Sequence, residues 1–264
     1  MKEAYETVAL SRPAEHILQI TINRPEARNA MNTQMGLDFL DIFMSLVLDP
    51  GDLRIAILTG SGDKAFCAGG DLKERRGMTD EAWRKQHAIF EQAVYRLMDC
   101  PIPVIAAVNG AAFGGGCEFA LACDFIYAST NARFALTEVT LGIIPGAGGT
   151  QNLPRAAGLR RAKEILFSGA PFTAAQGLDW GIVNTVCEPD ELLPRVLETA
   201  QRIADNAPLS IRQAKRAMDL GFEVDRTTGL GIEIEAYNRL VPTEDRHEGV
   251  LAFNEKRKPR YQGR

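Results

Sequence analysis

Leu18, Ile20 and Ile22 alternate with Gln19 and Thr21, the period of a strand with one covered face. From Asn32 the period lengthens. Leu40, Phe43, Met44 and Val47 fall at helical spacing, and Pro50-Gly51 closes the segment. Ile55 to Leu58 and Val104 to Val108 are near-continuous apolar runs, predicting strands covered on both faces. Between them Asp80 to Met98 predicts a helix, so strand and helix alternate as in an α/β layer. Beyond Asp190 the texture changes. Leu193, Val196, Leu197, Ala200 and Ala204 form one helical stripe, and Pro208 and Gly221 bracket a second helix as first-turn proline and terminal glycine. A third helix is predicted over about residues 223–240 and a fourth from Thr243 to Lys258. Glu244 and Asp245 begin that last helix and Lys256, Arg257 and Lys258 end it, a polarity that suits the helix dipole. The chain thus divides into an α/β body over residues 1–190 and a helical region over 191–264.

Composition narrows the function classes. With 45% hydrophobic and 24% charged residues in 264, the chain is long enough to build a large core without disulfides or metal. Thirty basic against 34 acidic residues leave a formal charge of −4, which advertises neither a nucleic-acid nor an anionic-membrane partner. Cys67, Cys100, Cys117, Cys123 and Cys187 are an odd number without a C-x-x-C pair, as expected of reduced thiols in a cytoplasmic protein. His16, His87 and His247 are too scattered for metal-ligand spacing, so no metal site is expected. The start MKEAYETVAL lacks the basic flank and apolar run of a signal peptide, and no stretch approaches a membrane span.

Two glycine-rich segments carry the candidate chemistry. Phe66-Cys67-Ala68-Gly69-Gly70-Asp71-Leu72 follows the first buried strand; taken alone it is a strand-to-helix turn in which glycine supplies an unusual backbone angle. Asn109-Gly110 through Gly114-Gly115-Gly116-Cys117-Glu118 follows the second and opens the apolar run from Phe119 to Ala122. Glycines at a helix start leave N–H groups bare at the positive end of the dipole, which suits an anion or a developing oxyanion. A phosphate loop is the rival, but neither Walker spacing nor G-x-G-x-x-G is present. Glu118 lies three positions after Gly115, and Glu138 twenty positions further on, after the strand-like Arg133 to Leu136. Either acid alone reads as a helix-start residue or a surface partner; together they suggest water chemistry by a carboxylate pair. Asp124 reads as structural. No G-x-S-x-G elbow is present, and a thiol nucleophile at Cys67 or Cys117 competes with the ordinary behaviour of cysteine as a small buried hydrophobe.

In order and spacing these segments resemble the enoyl-CoA hydratase (crotonase) family, together with Phe134 through Glu138 to Leu141-Gly142-Ile143-Ile144-Pro145-Gly146-Ala147-Gly148-Gly149-Thr150-Gln151. The likeness extends from Asn23-Arg24-Pro25 and Asn29-Ala30 to Glu255-Lys256-Arg257. The resemblance implies a spiral of ββα repeats with a C-terminal helical region that builds homotrimers or dimers of trimers. It implies that the amides of Gly70 and Gly115 form an oxyanion hole, with Glu118 as base and Glu138 as acid in adding water to a 2-enoyl-CoA, as in fatty-acid or branched-chain acid catabolism. Glu26, Arg28, Ala68, Gly70, Asp71, Leu72 and Lys73 would contact coenzyme A, which enters as part of the substrate and not as a cofactor. Phe253 and Lys256 would reach a neighbouring subunit's ligand.

Asp71-Leu72-Lys73-Glu74-Arg75, Glu223-Val224-Asp225, Thr228-Gly229-Leu230 and Pro259-Arg260-Tyr261 further resemble the methylglutaconyl-CoA hydratase branch, which includes a form that binds AU-rich RNA through a lysine-rich helix. The matching stretch here, Phe39 to Arg54, has no lysine and several acids, which argues against nucleic acid. An enoyl-CoA isomerase, an RNA-binding protein and a non-catalytic acyl-CoA-binding protein are the alternatives. The walls of an acyl pocket, near residues 75–98, show the least pattern.

Overall fold

The computed structural model describes residues 1–2 and 4–264. A hairpin opens the fold: β1 (Val8–Ala14) runs antiparallel to β2 (Ile17–Ile22), with His16 in the left-handed region at the turn. A 3-10 turn (Pro25–Ala27) leads to α1 (Thr33–Leu48), which is capped by the Asn32 side chain accepting from the Met35 amide.

Two strands and a helical segment then recur. The first unit is β3 (Ile55–Gly60), β4 (Ala65–Cys67), the single turn α2 (Leu72–Arg75) and α3 (Asp80–Met98). The second is β5 (Val104–Val108), β6 (Ala111–Phe113) and α4 (Gly115–Ala122). The third is β7 (Phe125–Ser129), β8 (Arg133–Ala135) and a 3-10 turn (Glu138–Leu141). Next come α5 (Gly149–Ala157), α6 (Leu159–Ser168), β9 (Phe172–Thr173), α7 (Ala174–Asp179) and β10 (Thr185–Cys187).

The first strand of each unit joins one six-stranded sheet, ordered β1-β2-β3-β5-β7-β10, and the second joins a four-stranded sheet, ordered β4-β6-β8-β9. Within each sheet the strands of successive units run parallel. This is the ββα spiral that the family resemblance implied.

The near-continuous apolar runs follow from covering both faces of the larger sheet. Ala56, Leu58, Val104, Ala106 and Val108 face the main core with α1, α3 and α4. Ile55, Ile57, Ile105 and Ala107 point the other way, onto α8 (Leu192–Ala204) and its stripe Leu192, Val196, Ala200 and Ala204. Side chains that alternate in direction therefore both have to be apolar. The division expected at residue 190 separates strands from helices in sequence, yet α8 packs as part of the body.

The remaining helices are α9 (Pro208–Phe222), α10 (Arg226–Leu240) and α11 (Glu244–Asn254). Two expectations are corrected. Gly221 does not terminate α9, which continues through Phe222, and Asp225 starts the next helix by capping Thr227 and Thr228. The last helix stops at Asn254, because Arg257 turns back to bridge Glu248 and Lys256 takes a left-handed φ of 54°. Lys256, Arg257 and Lys258 thus follow the helix instead of compensating its dipole.

Asp124 is structural, as its position suggested. It accepts from the Val104 amide at 2.7 Å and from Lys215 Nζ at 2.8 Å, tying α9 to the edge of the body. Lys215→Met would leave this half-sheltered carboxylate without its cation. We expect a loss of about 3 kcal/mol in urea unfolding at fixed protein concentration, partly recovered by adding Asp124→Asn.

Candidate active site

Successive turns of the spiral approach too closely for side chains at their glycine turns. A β-carbon on Gly116 would collide with the Cys67 carbonyl oxygen, and one on Gly69, at φ 91°, would lie 2.7 Å from that of Phe113. The turn after β4 and the start of α4 are thereby held side by side. Met31 ties the first turn down, donating its amide to Gly69 O at 2.7 Å and accepting from the Asp71 amide at 2.8 Å. Gly70 lies between those bonds and its own N–H has no acceptor among the described residues; the same holds for Gly115, first residue of α4. The two donors the sequence singled out are unengaged and line one cavity of about 700 Å³.

Glu118 and Glu138 line the same cavity. Glu118, 3% exposed, projects from the first turns of α4 and accepts from the amides of Ala147 (2.7 Å) and Gly149 (2.8 Å) through Oε1. Burial raises its pKa above the ordinary carboxylate range, opposed by those two N–H groups and by the neighbouring His87. Glu138, 9% exposed, begins the 3-10 turn after β8. Its pKa is pushed up to about 7, first by burial, and the charge on Glu118 adds to the rise. Its Oε2 is buried with no hydrogen-bond partner among the described residues. One acid is thus clamped by two backbone donors, while the other keeps an oxygen unused.

The other expected site residues scatter. Ala68 and Leu72 line the cavity. The Asp71 carboxylate is committed elsewhere, capping α2 through the Lys73 and Glu74 amides and pairing with Arg24 at 3.1 Å. Glu26, Arg28 and Lys73 lie outside the cavity lining, although the Arg28 carbonyl holds the Ala68 amide at 3.1 Å. Phe253 is 83% exposed at the end of α11 and, like Lys256, is not part of this chain's cavity. Thiol chemistry does not fit: burial pushes the Cys67 thiol up to about 12 and raises that of Cys117, and neither lines the cavity.

Several contributors escaped the sequence reading. Ala147 and Gly149, which hold Glu118, belong to a glycine-rich run whose bare amides were the available clue. Arg75, Trp83, His87 and Phe90 form a wall for which spacing offered no sign.

A spiral of two mainly parallel sheets with unengaged amides and paired acids at one cavity defines an acyl-thioester enzyme of the crotonase type. The chain belongs to the enoyl-CoA hydratase/isomerase family, whose profile matches residues 12–264. A crotonyl-CoA hydratase of Syntrophomonas wolfei is 41% identical, with 98% of each chain covered. A short-chain-enoyl-CoA hydratase of Clostridium acetobutylicum is 42% identical over 90% of this chain and 91% of its own. Among solved structures, the enoyl-CoA hydratase of Bacillus anthracis superposes with a TM-score of 0.96 at 41% identity, covering 98% of this chain and all of the other.

Raising Glu138 from 4.5 to about 7 makes the folded chain hold a proton that the unfolded chain releases. Its contribution to stability is full below pH 4.5 and is lost as pH rises towards 7 and above. Between pH 4 and 8 the wild type should lose about 3 kcal/mol relative to Glu138→Gln, measured by paired denaturant titrations.

Proposed function

We propose that this chain is an enoyl-CoA hydratase, adding water across the 2,3 double bond of a 2-enoyl-CoA thioester. The observation that carries the reading is the convergence of two unengaged glycine amides and two buried carboxyl groups on one cavity. Addition of water at the β-carbon moves electrons onto the thioester oxygen. The N–H groups of Gly70 and Gly115 would stabilise that enolate oxygen more than the ground-state carbonyl, and one such donor contributes about 2.7–4 kcal/mol.

The acids divide the proton traffic. Glu118, whose charged form two amides favour against burial, takes a proton from the attacking water. Glu138, whose pKa near 7 leaves much of it protonated at neutral pH, delivers one to the α-carbon. Hydroxyl ends on the β-carbon and hydrogen on the α-carbon. The two carboxyls titrate as a pair, so the pH profile reports the pair. An isomerase needs proton transfer between carbons but no water held between two acids, and the second acid favours hydration.

Coenzyme A would lie along the Arg28–Ala68–Leu72 edge. The exposed apolar side chains of α9 to α11, among them Met218, Phe222, Leu230, Ile234 and Tyr237, support a subunit interface and a homotrimer or dimer of trimers. Phe253 and Lys256 would then reach a neighbour's ligand. Five buried, unpaired cysteines support a reducing, cytoplasmic setting. Among the described residues no helix is long and apolar enough to cross a membrane.

Loss of crotonyl-CoA absorbance on adding the protein is the direct test. Glu118→Gln and Glu138→Gln should each lower kcat by about 10²-fold or more with little change in thioester binding. For the wild type, kcat/KM should fall as pH rises through about 7 and Glu138 ionises. Full turnover in either variant would defeat the assignment. Light scattering should give three or six times the chain mass, and Phe222→Glu with Ile234→Glu should lower it.

A further inference from the structure

The two unengaged amides each share a planar, trans peptide unit with the carbonyl of the preceding residue, so N–H and C=O point in opposite directions. Whatever holds the carbonyl therefore aims the N–H. For Gly115 the holder is ordinary helix, since the Gly114 carbonyl accepts from the Glu118 amide at 3.0 Å. For Gly70 it comes from a distant loop. The Gly69 carbonyl accepts from the Met31 amide at 2.7 Å, and the two segments form a parallel bridge between Met31 and Gly70.

The Met31 amide belongs in turn to the peptide unit of the Ala30 carbonyl, which accepts from Arg24 Nη1. A chain of hydrogen bonds thus runs from the Arg24 guanidinium through two peptide units to the bare Gly70 N–H. Every link points the same way, with a cation at its donor end, so each bond polarises the next. Arg24 does not line the cavity, and its effect on a ligand there is indirect.

The surroundings fix both the guanidinium and the loop it holds. Arg24 also donates to Asp71 Oδ2, at 3.1 Å from Nη1 and 3.2 Å from Nη2, so the fork cannot turn without breaking that pair. Arg28 and Asn29 both take left-handed backbone angles, φ 52° and 56°, which few non-glycine residues adopt. Asn29 is fully buried and its side chain is saturated. Its Oδ1 accepts from the Arg24 amide at 2.9 Å and Ser61 Oγ at 3.3 Å, while Nδ2 donates to the carbonyls of Ser61 at 3.0 Å and Ala65 at 2.8 Å. This turn is what brings the Met31 amide back to Gly69.

We propose that Arg24 is a positioning residue for the reaction. It holds the Ala30–Met31 peptide unit, and through it the Gly69–Gly70 unit, so that the Gly70 N–H faces the thioester oxygen. An ion pair that only joined this loop to α2 would need the contact with Asp71 and not the bond to the Ala30 carbonyl. The proposal rests on the hydratase reading in placing a thioester oxygen at the Gly70 amide. Its test reads that oxygen in a saturated ligand that cannot react.

Butyryl-CoA labelled with carbon-13 at the thioester carbonyl gives an isotope-edited infrared band whose frequency falls as N–H donors polarise the C=O bond. On the assembled enzyme the wild type should lower this band from its position in free butyryl-CoA. Arg24→Met should return it towards the free position, while affinity by calorimetry changes less than about threefold. Arg24→Gln, a milder change, should act in the same direction and serves where the methionine variant does not fold. Arg24→Lys keeps a charged donor and should retain the larger part of the shift. With crotonyl-CoA the methionine variant should lose about tenfold in kcat at nearly constant KM, less than the roughly 10²–10³ that follows loss of a donor outright. A full wild-type band shift in the neutral variants would overturn the proposal and leave the hydratase reading intact. So would an unchanged kcat with a raised KM, the mark of a role confined to ligand binding. Absence of hydration, with a band that still follows residue 24, would strike the proposed activity and leave the positioning role standing.

Discussion

The contact between the Cys67 carbonyl and the backbone of Gly116 is the constraint on which the rest of the site depends. It is main chain against main chain, between consecutive turns of the spiral, and any side chain there would push the turns apart. Close approach brings the Gly70 amide, at the end of one turn, beside the Gly115 amide at the start of the next helix. Both donors belong to the backbone, so their aim is set by sheet register and not by rotamers. A rigid donor pair loses little on reorganisation as charge develops, which is why backbone suits this task better than flexible side chains.

Against that frame the two acids show how one environment yields two behaviours. Burial acts on both in the same direction, disfavouring charge. The difference lies in what opposes it. Glu118 receives two N–H bonds from the 147–149 run at 2.7 and 2.8 Å, whereas Glu138 has an oxygen with no donor and feels the charge of Glu118. A proton shared within the pair therefore rests more readily on Glu138. Two residues of the same type acquire different proton affinities from the loops they face.

The legible parts of the sequence were those governed by periodicity or by local backbone demands. The strand Val104–Val108 and the helix Asp80–Met98 have the expected bounds, because doubly covered strands and amphipathic helices write their burial directly into residue order. The glycine turns were legible because few other residues tolerate such crowding. The end of α11 was not: three cations suggested a continuing helix, but a bridge from Arg257 back to Glu248 nine residues earlier turned the chain. The wall formed by Arg75, Trp83 and His87 was equally hidden. Its side chains meet only because the single turn α2 folds against one face of α3, and partners eight and more positions apart across two elements leave no repeat to read.

This contrast divides the cavity into two kinds of surface. On one side, glycines leave the Gly70 and Gly115 amides bare and the 147–149 run holds Glu118, and they admit little substitution because the spiral itself would have to move. On the other, α2 and α3 offer side chains whose exchange leaves the sheets untouched. Arg75 belongs to that second surface. Its orientation rests on a ring face and one amide oxygen, neither of which supports the turns that carry Gly70 and Gly115. Chemistry common to a family can therefore stay on the main chain while the helical wall changes.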